Sequence, residues 1–67
     1  MAKYTAYYEF CKPDGFLDAR KFRFDSRAKT WPGIVRTARN AAYYDSFFRI
    51  GEVGNYSLCE DTIMRVG

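Results

Sequence analysis

From Lys3 to Cys11 the side chains alternate, with Tyr4, Ala6, Tyr8 and Phe10 in one phase and Lys3, Thr5, Tyr7, Glu9 and Cys11 in the other. Only a strand satisfies a period of two, because successive Cβ atoms of extended backbone point to opposite faces. Pro13-Asp14-Gly15 follows: Pro presets φ, Asp bonds its own backbone and Gly accepts positive φ, which makes a reversal. A second strand, roughly Leu17 to Phe24, therefore pairs antiparallel with the first. Its alternation turns Phe22 and Phe24 inward and Lys21 and Arg23 outward. A slip of one residue would bury two unpaired cations, so the register is well determined.

At Thr30 the period changes. Trp31, Ile34, Val35, Ala38, Ala41 and Ala42 draw one apolar stripe on a helix, with Thr30 as N-cap and Pro32 tolerated in the first turn. The stripe is narrow and rich in alanine, so the helix can lie close to a sheet. Whether Ser26 to Lys29 begin an earlier turn is left open, since Pro32 would kink it. Beyond Tyr44-Asp45 the pattern predicts a third strand over Ser46 to Val53, a turn at Gly54-Asn55, a fourth strand over Tyr56 to Cys59, a turn at Glu60-Asp61 and a short fifth strand over Thr62 to Val66.

The expected fold is thus a single α+β domain spanning residues 1–67, an antiparallel sheet of four to five strands with one helix on one face, in the order ββαβββ. A chain of 67 residues stands near the lower limit at which one apolar core offsets chain entropy. Aromatic residues, 19% of the chain, supply the large burial per residue that such a core needs. The helix-facing layer is expected to gather Tyr4, Tyr8, Phe22, Phe24, Phe48 and Ile50 against Trp31, Ile34 and Ala38. The open layer is expected to display Tyr7, Lys21, Arg23, Phe47 and Arg49.

Charge is unevenly placed along this frame. Between Ala19 and Arg49 stand eight cations, Arg20, Lys21, Arg23, Arg27, Lys29, Arg36, Arg39 and Arg49, against only Asp25 and Asp45, within a chain of net charge +3. A basic middle predicts one cationic surface directed at phosphate or carboxylate. On the sheet, rings interleaved with Lys and Arg are the chemistry that holds single-stranded nucleic acid, bases stacking while cations track phosphate. The plainer alternative makes Tyr7 and Phe47 cross-strand partners and the charges solubilising groups. On the helix, Arg36, Arg39 and Asn40 project to one side, and like charges at that spacing do not favour the helix itself.

Several classes of function are excluded by inventory. Histidine is absent, and Cys11 and Cys59 are separated by 47 intervening residues with no usual second ligand near either, so zinc sites, Cys/His dyads and Ser/His/Asp triads are ruled out. Gly33 and Gly51 are isolated and form no phosphate loop. Glu52, Glu60 and Asp61 have no nucleophile or metal set beside them. The expectation is a non-enzyme with no cofactor and no small-molecule substrate, not associated with a membrane, and cytoplasmic with reduced thiols.

The strand pair, the helix TWPGIVRTARNAA and the closing segment SFFRIGEVGNYSLCEDTIMRVG give an arrangement that resembles small phage-encoded anti-CRISPR proteins of a ββαβββ type, inhibitors of type I surveillance complexes. The likeness lies in element order over nearly the whole chain and in no diagnostic motif. It implies a non-catalytic inhibitor in the host cytoplasm that docks on a nucleoprotein complex, Cascade, where target DNA would pass. Tyr7, Lys21, Arg23, Arg36, Arg39 and Arg49 are the positions implied to make that contact. Several such inhibitors are acidic mimics of DNA; the basic charge here argues against duplex mimicry. The alternative function is a small single-stranded nucleic-acid-binding module acting through the open sheet face.

Overall fold

The computed structural model describes residues 1–49 and 56–67, with the side chain of Arg49 excepted. Two strands, β1 (Ala2–Cys11) and β2 (Leu17–Ser26), lead into one helix, α1 (Trp31–Arg49), and a third strand, β3 (Tyr56–Arg65), follows. β1 lies in the centre of the sheet, in the order β2-β1-β3, and both its pairings are antiparallel. The α+β class with one helix on an antiparallel sheet is as expected, whereas the element order among the described residues is ββαβ.

The β1–β2 hairpin shows why its register is unbroken from Ala2↔Ser26 to Cys11↔Leu17. Gly15 N–H donates to Lys12 C=O (2.9 Å) and Lys12 N–H to Phe16 C=O (2.8 Å), with Gly15 at φ +89°. This is a three-residue loop, a turn followed by a left-handed residue, and the Asp14 carboxylate accepts from Phe16 N–H (3.0 Å) to hold it.

The expected third strand over Ser46 to Val53 is corrected: Ser46 to Arg49 form the last turn of α1, and positions 50–55 lie outside the described residues. The side of α1 that faces the sheet reads Ala38, Ala42, Asp45 and Ser46. It turns polar at its C-terminal end because its partner there is a phenol rather than a ring face. The apolar period therefore fades although the helix continues. Ser46, 1% exposed, returns its hydroxyl hydrogen to Tyr43 C=O (2.8 Å) within the helix. At the other end Thr30 stands at the N-cap, its C=O accepting from Ile34 N–H (3.0 Å). A Cβ on Gly33 would lie 2.8 Å from the Ala28 Cβ, so only glycine lets the incoming chain pass this close.

Glu60-Asp61 is not a turn between two strands but part of a bulge within β3. Cys59 pairs with Tyr7 and Met64 with Thr5, so β3 spends three more residues than β1 over this interval. Thr62 fills the break: its hydroxyl accepts from Tyr7 N–H (2.9 Å) and donates to Cys59 C=O (2.6 Å).

The core lies between the sheet and the helix. Tyr4, Ala6, Tyr8, Phe22, Phe24, Ala38 and Ala42 are buried together, with Tyr4 and Phe24 stacked across strands at 5.2 Å and Tyr56 meeting Tyr8 edge-on at 5.9 Å. Two residues expected in this layer are outside it: Trp31 is 52% exposed at the first helical position, and Phe48 is 75% exposed because it belongs to the helix and not to a strand. Ile50 falls outside the described residues.

Candidate functional site

The side chains singled out from the sequence separate onto two sides of the molecule. Tyr7, Lys21 and Arg23 lie on the open face of the sheet, where Tyr7 stands directly opposite Lys21 and Arg23 opposite Thr5. Arg36, Arg39, Asn40 and Phe47 are exposed on α1, which covers the other face. The single cationic surface predicted from the sequence is thereby divided, and Phe47 is a helix residue rather than a ring of the open sheet. Arg49 ends α1 with its side chain outside the described residues.

Neutralisation divides the cations further. Arg20 Nε donates to Asp45 Oδ2 at 2.8 Å, and Arg39 NH2 donates to Glu60 Oε1 at 2.6 Å. Lys3, Lys21 and Arg23 make no such pair among the described residues. Asp45 also accepts from the hydroxyl of Tyr8 (2.7 Å), a side chain that is completely buried. Burial, and then the hydrogen bond to this carboxylate, push the Tyr8 phenol far above its ordinary value of 10.0. The group is therefore a neutral donor clamped between sheet and helix, a structural device rather than a proton carrier.

Three shallow hollows meet around Arg23. One, about 460 Å³, opens on the sheet face beside Lys3, Thr5, Lys21 and Asp25. Another, about 550 Å³, lies between the β2 edge and the helix, walled by Ala41, Tyr44, Asp45 and Phe48. A third, about 410 Å³, joins Arg20, Lys21 and Phe22 to Asp45. Arg23 lines all three, so the outer margin of β2 has a cationic wall on the open side and an aromatic wall on the helix side.

Tyr44 and Phe48 are site residues that the sequence reading missed. Continuing the helical spacing from Ala41 through Tyr44 to Phe48, at i, i+3 and i+7, would have put both on one flank of α1. Tyr44 is 60% exposed, so neither ring contributes to the core. The thiols are separate: Cys11 is exposed at the end of β1, while Cys59 sits opposite Tyr7 on β3. Partial burial first, and then the neighbouring Glu9 carboxylate, raise the Cys59 pKa, which disfavours a reactive thiolate.

Among the described residues no three Cys, Asp or Glu converge to hold a metal ion, and no helix is long and apolar enough to cross a membrane. No family model matches the chain, and neither does any curated protein or solved structure.

Proposed function

We propose that this chain is a non-catalytic protein-binding module that engages an acidic partner through the β2 side of the sheet. The observation that carries this reading is the setting of Arg23 and Lys21. Both lack a carboxylate partner among the described residues, and Arg23 shares a hollow with the exposed rings of Tyr44 and Phe48. Arginine and aromatic side chains around a hollow are the composition in which protein interfaces concentrate their affinity. Inhibitory docking on a type I CRISPR surveillance complex, which the resemblance implies, is the form of this reading that names a partner.

The test is capture from bacterial lysate, with and without nuclease, using the wild-type chain and the pair Lys21→Glu with Arg23→Glu. Nuclease-resistant capture that the charge reversals abolish, at unchanged circular dichroism, is the expected result. Capture that nuclease removes would overturn it.

A second reading rests on a different observation. Tyr7, 40% exposed, sits across from Lys21 on the open face, next to the hollow shared by Lys3 and Arg23. One ring with Lys21 across from it and Arg23 at the diagonal position is a minimal platform for a base and its adjoining phosphate. Titration with single-stranded RNA and DNA at two salt concentrations separates the readings, because phosphate contacts make log K fall steeply with log salt.

A further inference from the structure

Resting on the protein-binding reading, we infer that the outer edge of β2 receives an extended acidic segment of the partner as an added antiparallel strand. Lys12 and Phe16 form a hydrogen-bonded pair, and such pairs recur at every second residue of an unbroken antiparallel register. Phe22 and Phe24 therefore direct their main-chain groups toward β1. Lys21, Arg23 and Asp25 direct theirs away from the sheet, where no strand lies among the described residues. The same parity is seen on β1, whose Lys3 exchanges its main-chain bonds with Val66 and Gly67 on the β3 side.

A strand laid against this edge would set alternate side chains on the two walls already described. On the open face they would meet Lys21 and Arg23, and on the other they would enter the hollow beneath Tyr44 and Phe48. The complementary segment thus alternates acidic and apolar residues. Charge disfavours a second copy of the chain in the same place. With both helices on one side, the self-pairing registers centred on Lys21 and on Phe22 set Lys21 against Lys21 or Lys21 against Arg23, and like charges directly opposite are destabilising; only the register centred on Arg23, which sets Arg23 against Arg23, brings Lys21 opposite Asp25.

The test uses the full chain and a capped peptide of about seven alternating Glu and Val residues, a length matched to one strand. In an antiparallel addition the residues opposite Lys21 and Arg23 share their face and also make the main-chain bonds, so these are the Glu residues. N-methylation of two Glu residues should weaken binding at least about tenfold, whereas N-methylation of two Val residues should leave it intact. On the protein side, Lys21→Pro should abolish binding while Lys21→Ala only weakens it. Proline removes an N–H that β1 does not use. Absence of any preference for the Val-methylated peptide overturns strand addition. So does a dimer of the peptide-free protein in sedimentation equilibrium, or binding of single-stranded oligonucleotide with none of the peptide. If the peptide fails while nuclease-resistant capture through Lys21 and Arg23 persists, the strand mode falls and the protein-binding reading stands. Loss of that capture as well takes the reading with it.

Discussion

The two edges of this sheet are built differently although both strands pair with the same central β1. The β2 edge keeps one register over ten residue pairs, and two cations, Lys21 and Arg23, stand in line on its open face ahead of Asp25. The β3 edge is broken between Cys59 and Met64, where Thr62 substitutes a side chain for strand backbone. A bulge on an edge strand bends and twists it away from further pairing, and inward or clustered charge is the other common guard. Here one edge has the first device and the other has the second. A bulge discourages edge pairing whatever the partner's charge, whereas clustered cations discourage it least for an acidic partner. On the strand-addition proposal, the β2 edge would admit acidic segments that the bulged β3 edge disfavours.

The helix is tied to the two edges with equally different strength, which gives the largest expected effect. Asp45 serves Arg20 from β2 and the buried hydroxyl of Tyr8 from β1, with the Arg20 and Asp45 side chains only 38% and 21% exposed. Asp45→Ala leaves a buried donor without an acceptor and should cost about 3 kcal/mol in urea denaturation. That corresponds to a fall in Tm of more than about 10 °C for a domain this small. Next comes the bulge itself. Thr62→Val keeps the shape but removes both bonds of the hydroxyl, for a loss of about 1–2 kcal/mol and faster hydrogen exchange at Tyr7 N–H. A Thr62→Val chain as stable as the wild type would mean that the break in β3 is tolerated rather than held.

Tyr8→Phe should cost about 1 kcal/mol at neutral pH, since Asp45 retains Arg20. Its sharper signature lies in alkali. The folded phenol is raised above the ordinary value of 10.0, so its contribution is fully present below pH 10 and is lost as pH rises toward the folded pKa. Wild-type stability should therefore decline above pH 10, and Tyr8→Phe should flatten that part of the curve. An unchanged alkaline limb would show that the other tyrosines govern it.

How much of this could be read from the residues follows from what each element faces. β1 and β2 were legible because the helix-facing side of each is filled mainly by large apolar side chains, which keeps the alternation clean at Tyr4, Tyr8, Phe22 and Phe24 even though Tyr8 and Arg20 also reach Asp45. The N-terminal half of α1 was legible for the same reason. Its C-terminal half was not, because Asp45 and Ser46 occupy the positions that a stripe of apolar residues would mark. Their burial is satisfied by hydrogen bonds instead. Once the helix was cut short, Phe47 and Phe48 were free to be read as strand residues. The open-face placement of Tyr7, Lys21 and Arg23 survived because pleat parity alone decides it. The pairing of Arg20 with Asp45 and of Arg39 with Glu60 joins residues 25 and 21 positions apart, and no local spacing records it.

The smallest effect is expected at the tie to β3. Arg39 and Glu60 approach to 2.6 Å, yet their side chains are 64% and 44% exposed. An ion pair in that setting gains little over its hydrated partners, loses side-chain entropy and is screened by salt, so its worth is under about 0.5 kcal/mol. Arg39→Ala should leave stability nearly unchanged. A double-mutant cycle with Glu60→Ala should give a coupling that disappears by 0.5 M salt, where the screening length is on the order of 4 Å. The same cycle between Arg20 and Asp45, closer to the core, should keep most of its coupling at that salt. If the two couplings prove equal, burial does not set the difference between the edges, and the contrast would have to rest on the bulge alone.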